Sequence, residues 1–292
     1  MIKLDTSVPA PQFLSSARVV KVLTDARKAF KDGDEIKLPA LWADDEDTRH
    51  KLHERHHDGK CCYCERRRDI KIERDVEHYR PKKAVTEATS HKGYWWLAYD
   101  WSNLLISCKT CNTMFKGNKF PIVSEANRVS EEGDVNGEDP LVLNPAIEDP
   151  EPYISYLYER SGREWTAFPI ACPTHHPERG VATIKVAGLD RTGLMGSNER
   201  AEYVQSLMEL MGLWNGNRFL IKKAKETKAG LALIDLDQRA IDRLDTAISG
   251  YEKEVEEAEE KIRLYLRPDR TYAGFRRYLV AKESRGLIVF DG

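Results

Sequence analysis

The chain has 292 residues, 41% of them hydrophobic and 32% charged, which is enough to bury one large core or two smaller ones. Its 46 Lys and Arg residues nearly balance its 48 Asp and Glu residues, for a formal net charge of −2. The overall charge therefore gives no support to nucleic-acid binding. No apolar run approaches the roughly 20 residues of a membrane helix, and the N-terminal residues lack the apolar stretch of a secretory signal. A cytoplasmic protein with no membrane span is expected.

Residues 1–58 predict an N-terminal helical region. An extended arm over residues 1–15 precedes apolar residues at helical spacing, which predict a helix from Ser16 to Phe30. Helix start and stop signals predict a second helix from about Asp44 to His57. Four histidines on that helix raise the alternative of a metal site, namely His50, His53, His56 and His57. Their charged surroundings favour a solvated helix face instead.

The six cysteines of the chain are the next signal. Four of them form two Cys-x-x-Cys pairs: Cys61 with Cys64, and Cys108 with Cys111. Two such pairs separated by a folded insertion are typical of a closed, tetrahedral zinc site, and a cytoplasmic setting disfavours disulfides. Cys62 and Cys172 are left over. Cys172 with His175 and His176 would lack a fourth metal ligand, so a loop is favoured there.

Polar residues lie at conspicuous points between and after the cysteine pairs. Glu77 and His78 fall in an expected strand from Ile72 to Tyr79. Asn103 precedes a second expected strand, Leu104–Ser107, and Asn112 lies in a short helix expected from Cys108 to Lys116. The order is therefore strand, strand, helix. An aromatic cluster over residues 94–101 favours a small packed core, with base stacking as the alternative. An excess of basic residues over 60–83 has a solvated face as its simplest interpretation.

These residues together resemble the HNH nucleases of the ββα-metal class, in the variety that carries a zinc knuckle. The resemblance rests on residues 75–82, 94–105 and 111–121, and those runs are similar in particular to the PtuB nuclease subunits of Septu anti-phage systems, which some retrons also carry. It extends more weakly through residues 143–145 and 188–191. The first 58 and last 90 residues carry little of it.

The resemblance implies a role for each matching residue. His78 corresponds to the general base that activates water, and Glu77 to the adjacent acidic ligand of a catalytic ion, with Asp75 as the alternative ligand. Asn103 corresponds to the residue that braces the loop holding the base. Asn112 corresponds to the last ligand position, and its hard amide oxygen favours Mg²⁺ or Mn²⁺ there. Phosphate contacts are expected from Lys116, Asn118, Arg80 and Lys82.

The remaining sequence predicts two further segments. Residues 124–197 read as an irregular connection with a hairpin, Tyr153–Tyr158 and Arg163–Phe168. Residues 198–292 read as a C-terminal helical region whose longest helix runs from Leu236 to about Arg267. An apolar stripe on that helix, from Leu236 to Tyr265, has two interpretations: intramolecular packing, which is favoured, and a coiled coil that binds a partner.

The expected fold is α+β: a mostly helical chain around a small ββα-metal core, residues 59–123, clamped by one zinc ion. The expected function is metal-dependent phosphodiester hydrolysis, with DNA favoured. The resemblance also implies an ABC-type ATPase partner, and the chain has no Gly-x-x-x-x-Gly-Lys-Ser/Thr motif of its own. Two alternatives stay open: an HNH nuclease acting on RNA such as tRNA, and a non-catalytic zinc module that recruits a partner through its C-terminal helices.

Overall fold

A computed structural model describes residues 1–67, 74–161, 164–191, 196–232, 238–267 and 273–284. These residues form helices and two small two-stranded sheets, the mixed α+β class that the sequence predicts. Among the helices described, none combines the length and the apolar character that a membrane crossing requires.

The contacts divide the chain into two compact units. The first consists of residues 1–157, 168–192 and 268–274, and the second of residues 158–167, 193–267 and 275–292. The first unit therefore holds the N-terminal helices and the cysteine-bearing segment together.

Two helices in the N-terminal part of the first unit have side-chain caps at their starts. Helix α1 spans Ala17–Asp32; the backbone N–H of its third residue donates to the Ser16 hydroxyl at 3.4 Å, and Gly33 ends it with φ 74°. Helix α2 spans Glu46–Arg55, and Asp45 caps it by accepting a hydrogen bond from a backbone N–H of its first turn. Such caps satisfy backbone groups that the helix itself cannot pair. Both helices lie close to their predicted ranges.

One histidine at the end of α2 corrects the expectation of a solvated face. His56 is fully buried, and its ring bonds two backbone groups. Its Nδ1 lies 2.7 Å from the Leu52 carbonyl, and the Ile106 N–H donates to its Nε2 at 2.9 Å. The Cys62 N–H donates to the Ile106 carbonyl at 2.9 Å. His56 is buried because it completes the hydrogen bonding of a strand edge.

The strand, strand, helix order appears in the cysteine-bearing segment. Strand β1, Arg74–His78, pairs antiparallel with strand β2, Leu104–Cys108, so that Glu77 lies opposite Leu105. A short π-helical segment follows over Thr110–Lys116. The first two residues of the expected strand, 72 and 73, lie outside the described residues.

The aromatic cluster between the two strands is core, as favoured from the sequence. Tyr94, Trp95, Trp96 and Tyr99 are all buried. Aromatic and aliphatic residues from both N-terminal helices and β2 complete a hydrophobic core, which includes Val19, Leu41, Trp42, Leu52, Ala98, Leu104 and Ile106. Stacking on nucleic-acid bases would need exposed rings, so the burial of these rings excludes that alternative for them.

A hairpin and an additional helix follow the irregular connection. Strands β3, Ile154–Ser161, and β4, Glu164–Ala171, form the second sheet; the two turn residues between them lie outside the described range. Helix α3, Pro177–Ala187, was not predicted. Its sequence nevertheless has a proline at its first position and a glycine, Gly188 with φ 59°, immediately after its end, a pairing of residues that commonly bounds helices.

The second unit is dominated by two long helices, α4, Gly196–Ala232, and α5, Gln238–Leu266. The Trp214 indole N–H donates to Glu259 at 2.9 Å, and Lys225 pairs with Glu252 at 2.7 Å. The later residue of α4 contacts the earlier residue of α5, so the two helices are antiparallel. The apolar stripe of α5 packs within the chain, as favoured, although its expected start at Leu236 is not described. A shorter helix, α6, spans Ala273–Glu283.

Candidate metal centre and active site

The four cysteines of the two Cys-x-x-Cys pairs converge. Their sulfur atoms all lie within 4.8 Å of one another, and all four residues are buried: Cys61, Cys64, Cys108 and Cys111. The Cys64 and Cys108 sulfurs are 3.9 Å apart. Four buried thiols at this spacing form a donor set that a metal ion such as zinc can occupy.

Backbone hydrogen bonds build the two turns that carry these thiols. In the first turn the Glu65 N–H donates to the Cys61 carbonyl at 2.9 Å, and Glu65 has φ 60°. In the second turn the Cys111 N–H donates to the Cys108 sulfur at 3.4 Å. Both turns adjoin β2, since Cys108 is its last residue and Cys62 bonds its edge. The sheet therefore fixes the distance between the two pairs.

The two leftover cysteines lie outside this cluster. Cys62 is buried, and burial raises the pKa of its thiol well above the ordinary value, which favours the neutral form. The Cys172 sulfur lies 3.4 Å from the Thr174 hydroxyl. His175 packs against Tyr153 with the ring centroids 4.4 Å apart. Within the described residues, Cys172 and the adjacent histidines form no such ligand cluster.

His78, the expected base, is buried on the face of β1 that contacts the N-terminal helices. Its Nε2 lies 3.0 Å from the Ala98 carbonyl, and its ring packs on Trp42 with the centroids 5.2 Å apart. A carbonyl accepts hydrogen bonds only, so Nε2 carries the proton. In that tautomer Nδ1 has a free lone pair, and none of the described residues bonds to it.

The electrostatics around His78 favour its neutral form. Burial and, after it, the nearby Lys82 ammonium lower the pKa of His78 to about 3. Lys82 lies over the Trp42 ring, with its Nζ 4.7 Å from the ring centroid. Trp42 thus contacts both the imidazole and a cation. Burial, followed by Lys83, also lowers the pKa of Lys82, to about 8.

Glu77, the neighbour of His78, points to the other face of β1. Its carboxylate is 2.5 Å from the Lys116 ammonium and accepts a hydrogen bond from the Tyr63 hydroxyl at 3.3 Å. Burial raises the pKa of Glu77, although Lys116 opposes that shift. The Lys116 ammonium would compete with a divalent ion for this carboxylate, and the role of Glu77 as a metal ligand stays a prediction. The Asp75 side chain is outside the described part of the chain.

The Asn103 side chain bonds the backbone of two separate segments. Its Oδ1 accepts from the Arg80 N–H at 2.7 Å, and its Nδ2 donates to the Arg80 carbonyl at 3.1 Å and to the Leu97 carbonyl at 3.0 Å. The amide therefore joins the segment after His78 to the segment that supplies Ala98, the hydrogen-bond partner of His78. Asn112 is half-buried in the π-helical segment, where its carbonyl accepts from the Gly117 N–H at 2.6 Å.

The four expected phosphate contacts are in different environments. The Lys116 side chain is 0% exposed, and its Nζ donates to the His78 carbonyl at 3.0 Å, so it does not present its charge to a phosphate. The Arg80 guanidinium pairs with the buried Glu138 at 2.9 Å. Lys82 is half-buried beside His78, and Asn118 is exposed. Lys82 thus lies beside the expected base without the ion pairs that Lys116 and Arg80 make with Glu77 and Glu138.

Three residues of the site were not singled out from the sequence. Trp42 packs on His78 from the N-terminal region, and no motif marks it. Tyr63 lies between two ligand cysteines and bonds Glu77. Arg191 reaches the cysteine cluster, with Nη1 and Nη2 each 3.5 Å from the Cys111 sulfur. Its position at the end of the weak similarity over residues 188–191 is the one signal that pointed to it.

Comparison with known proteins adds one relative. The chain is 43% identical over 102 residues to Septu protein PtuB of Bacillus mycoides (strain KBAB4), a match that covers 34% of this chain and 35% of that protein. The chain thus matches about a third of the length of this curated relative, and over that stretch the expected resemblance to PtuB proteins is confirmed. No family model matches the chain, and no solved structure matches it either.

Proposed function

We propose, starting from the relationship of this chain to Septu protein PtuB, that it is the nuclease subunit of an anti-phage defence complex. The proposed reaction is hydrolysis of a phosphodiester bond, with DNA as the favoured substrate and His78 as the general base. The first unit, which holds both His78 and the four-cysteine cluster, is the proposed nuclease.

The state of the His78 ring is the observation that carries this proposal. The Ala98 carbonyl holds the proton on Nε2 and leaves Nδ1 as a hydrogen-bond acceptor. Burial keeps the ring neutral at physiological pH, so the acceptor is available without a prior deprotonation. A ring of fixed orientation and fixed tautomer is what general-base catalysis requires.

In the proposed step a water oxygen attacks the phosphorus while one water proton moves to His78 Nδ1. The bond from phosphorus to the leaving sugar oxygen breaks, and that oxygen takes up a proton from solvent. A base with a pKa near 3 is weak in the substrate-free protein. The negative charge of a bound phosphodiester raises the pKa of an adjacent imidazole, and this shift would strengthen the base when substrate is present.

Two other residues have proposed supporting roles. Asn103 would keep the backbone on both sides of the base in place through its hydrogen bonds to Arg80 and Leu97. Lys82 would contact a phosphate oxygen, because its ammonium lies beside His78 across the Trp42 ring. Asn118, which is exposed, remains a weaker proposal for a second phosphate contact.

Two kinds of metal belong to the proposal, and they have unequal support. Zinc at Cys61, Cys64, Cys108 and Cys111 would have a structural role, and the convergence of the four thiols supports it. A catalytic Mg²⁺ or Mn²⁺ is expected from the resemblance alone, with Glu77 and Asn112 as its ligands. The ion pair between Glu77 and Lys116 competes with that ligand set. The cleavage assay below therefore tests whether the activity depends on a divalent ion.

An ABC-type ATPase is the proposed partner, as the PtuB resemblance implies. The net charge of −2 fits a nuclease that is not a strong nucleic-acid binder alone. Co-expression with the genomic neighbours of the chain would identify the protein that co-purifies with it.

A cleavage assay on the co-purified complex tests the function. Supercoiled plasmid and tRNA are incubated with parent complex in Mg²⁺, Mn²⁺ or a chelator, and His78→Ala and His78→Gln are compared with parent. Removing the base is expected to slow cleavage roughly 10²–10⁴-fold. The Gln variant retains a donor for the Ala98 carbonyl, so it keeps the fold even where the Ala variant leaves a cavity beside Trp42.

The matched control is His50→Ala, since His50 is exposed on α2 and its removal should leave the rate unchanged. Parent-like cleavage by a folded His78→Gln complex would contradict the role of His78. A parent complex that cuts neither substrate would contradict the nuclease proposal and favour a non-catalytic zinc module. Cleavage of tRNA and not of plasmid would identify RNA as the substrate.

A further inference from the structure

Arg191 brings a positive charge to the cysteine cluster. It follows helix α3 in the chain, and its Nη1 and Nη2 each lie 3.5 Å from the Cys111 sulfur, within hydrogen-bonding distance for sulfur. The planar guanidinium presents donors in a fixed fork, which suits contact with a single anionic atom. Cys111 itself lies 80 residues earlier in the chain.

The structure holds this guanidinium in place from several sides. Nη1 also donates to the Ala187 carbonyl at 3.2 Å and to the Gly188 carbonyl. The guanidinium lies 5.3 Å from the centroid of the Phe115 ring. A Cβ at Gly188 would fall 2.1 Å from Phe115 Cδ1, so the end of α3 approaches the π-helical segment more closely than any other residue type would allow.

Charge explains why a cation belongs at this position. A divalent ion bound by four thiolates leaves a net charge of −2, and all four cysteines are buried. Uncompensated charge in a poorly solvated site is costly. A cation that also donates hydrogen bonds to a ligand sulfur reduces that cost and fixes the position of the sulfur.

We propose that Arg191 is a positioning residue of the metal centre: outside the ligand set, it offsets the thiolate charge and bonds the Cys111 sulfur, so that the centre retains its ion. Residues 177–191 are then part of the metal module, beyond the 59–123 segment that the cysteines delimit. This inference rests on the metal-binding part of the proposed function and is independent of catalysis.

A simpler role for Arg191 is to satisfy the last carbonyls of α3. The two roles differ in what they do to the ion. A helix-end contact affects folding stability alone, whereas a hydrogen bond to Cys111 changes the electron density on the sulfur. That density is measurable in the thiolate-to-metal charge-transfer absorption of the Co²⁺ form.

The test is a Co²⁺ titration of the metal-free full-length protein, followed by displacement with Zn²⁺. Arg191→Met removes the charge and the donors at similar length. It is expected to shift the charge-transfer band and to raise the Co²⁺ dissociation constant roughly 10–100-fold, the usual effect of losing a partner of a metal ligand. Arg191→Gln, which keeps one donor, should fall between Met and parent, and it decides the matter if Arg191→Met does not fold.

The matched control is Arg179→Met in helix α3, the helix that Arg191 follows, because Arg179 binds Glu148 at 2.7 Å and makes no contact with the cysteines among the described residues. The charge-transfer band of Arg179→Met should match that of the parent protein, even if the variant melts at a lower temperature. An unmoved band in the Arg191 variants, or an equal shift in Arg179→Met, overturns the proposal. A parent protein that takes up neither Co²⁺ nor Zn²⁺ overturns the metal assignment itself, a separate outcome.

Discussion

The two faces of strand β1 are built on different principles, although Glu77 and His78 are neighbours in sequence. The Glu77 face is charged and closed: Lys116 and Tyr63 both bond the carboxylate, beside the four cysteines. The His78 face is aromatic, and it leaves one ring nitrogen unbonded among the described residues. Alternation along a strand separates adjacent side chains, so a paired motif can serve two functions.

Burial acts on both faces in the same direction. It raises the pKa of Glu77 and lowers that of His78, because a poorly solvated site disfavours either charge. The difference lies in the compensation. Glu77 has a group of opposite charge, Lys116, in contact with it, whereas the charged groups that act on His78 are cations, Lys82 and Lys116, which further disfavour its protonation. We infer that the Glu77 face holds the strand and that the His78 face performs the chemistry.

The largest effect is expected from loss of the four-cysteine cluster, which adjoins the sheet that carries both faces. Cys108→Ser breaks the ligand set, and a structural zinc site contributes on the order of 10 kcal/mol to folding. The variant should be insoluble or free of zinc, as measured by metal analysis of purified protein. Cys62→Ser is the control and should keep one zinc per chain. Full zinc content in Cys108→Ser would contradict the assignment.

The second prediction concerns the closed face alone. Lys116→Met leaves the buried Glu77 carboxylate without its partner and should reduce the free energy of unfolding by about 3–5 kcal/mol. Adding Glu77→Gln should restore most of that loss, which urea denaturation would measure. Lys21→Met, in an exposed pair with Asp25, should cost less than about 1 kcal/mol.

The same double variant also separates structure from catalysis. If Glu77 only holds the strand, Lys116→Met with Glu77→Gln retains nuclease activity once it is folded. An inactive but stable double variant would instead show that the pair of Glu77 and Lys116 takes part in the chemistry, and the two faces would then share it.

The third prediction uses pH to test the aromatic face of β1, which carries His78. The pKa of His78 is about 3 in the folded chain, against 6.5 as its ordinary value. Between these values the unfolded chain binds the proton and the folded chain does not, so stability falls as pH falls. This single group should remove about 2 kcal/mol between pH 7 and pH 5.

His78→Gln cannot titrate and should lose that part of the pH dependence. Urea denaturation of parent and variant at both pH values gives the difference between them. Identical pH dependence in the two proteins would show that the histidine is solvated, and the contrast between the faces would be lost.

The smallest effect is expected at Lys82, which lies over the Trp42 ring beside His78. Its pKa of about 8 means that the ammonium loses its proton just above neutral pH. If it contacts a phosphate, KM should rise about fivefold between pH 7 and pH 9, equivalent to roughly 1 kcal/mol. Lys82→Arg keeps its charge over that range, so its KM should stay flat. If the KM of Lys82→Arg changes with pH in the same way as that of the parent protein, Lys82 does not contact the phosphate.

Sequence periodicity was sufficient for α1, α2 and the long C-terminal helices, although not for α3, and for the strand, strand, helix order. The cysteine cluster was also predictable, because spacing within each Cys-x-x-Cys pair constrains the ligands locally. The bracing role of Asn103 is implied by the resemblance and stays a prediction. In each case the signal lies within a short stretch of chain.

The features that could not be predicted depend on packing between distant segments. Trp42 meets His78 across the core, Arg191 meets Cys111 some 80 residues away, and His56 bonds a strand edge. Lys116 illustrates the same limit: a lysine after a cysteine pair looks available for phosphate, and only the fold shows that Glu77 takes it. Local patterns do not specify which buried charges will find each other.

The spacing of the cysteines has a consequence for the biogenesis of the protein. The two pairs lie at the ends of a loop, residues 65–107, that contains His78, Ala98 and Asn103. Holding the ends of a loop together removes most of its conformational freedom. The proposed proton acceptor, its carbonyl partner and its brace therefore lie in a segment that is less constrained until an ion joins the pairs. If the chain is the nuclease proposed above, supply of the metal would determine when a newly made chain becomes able to cut.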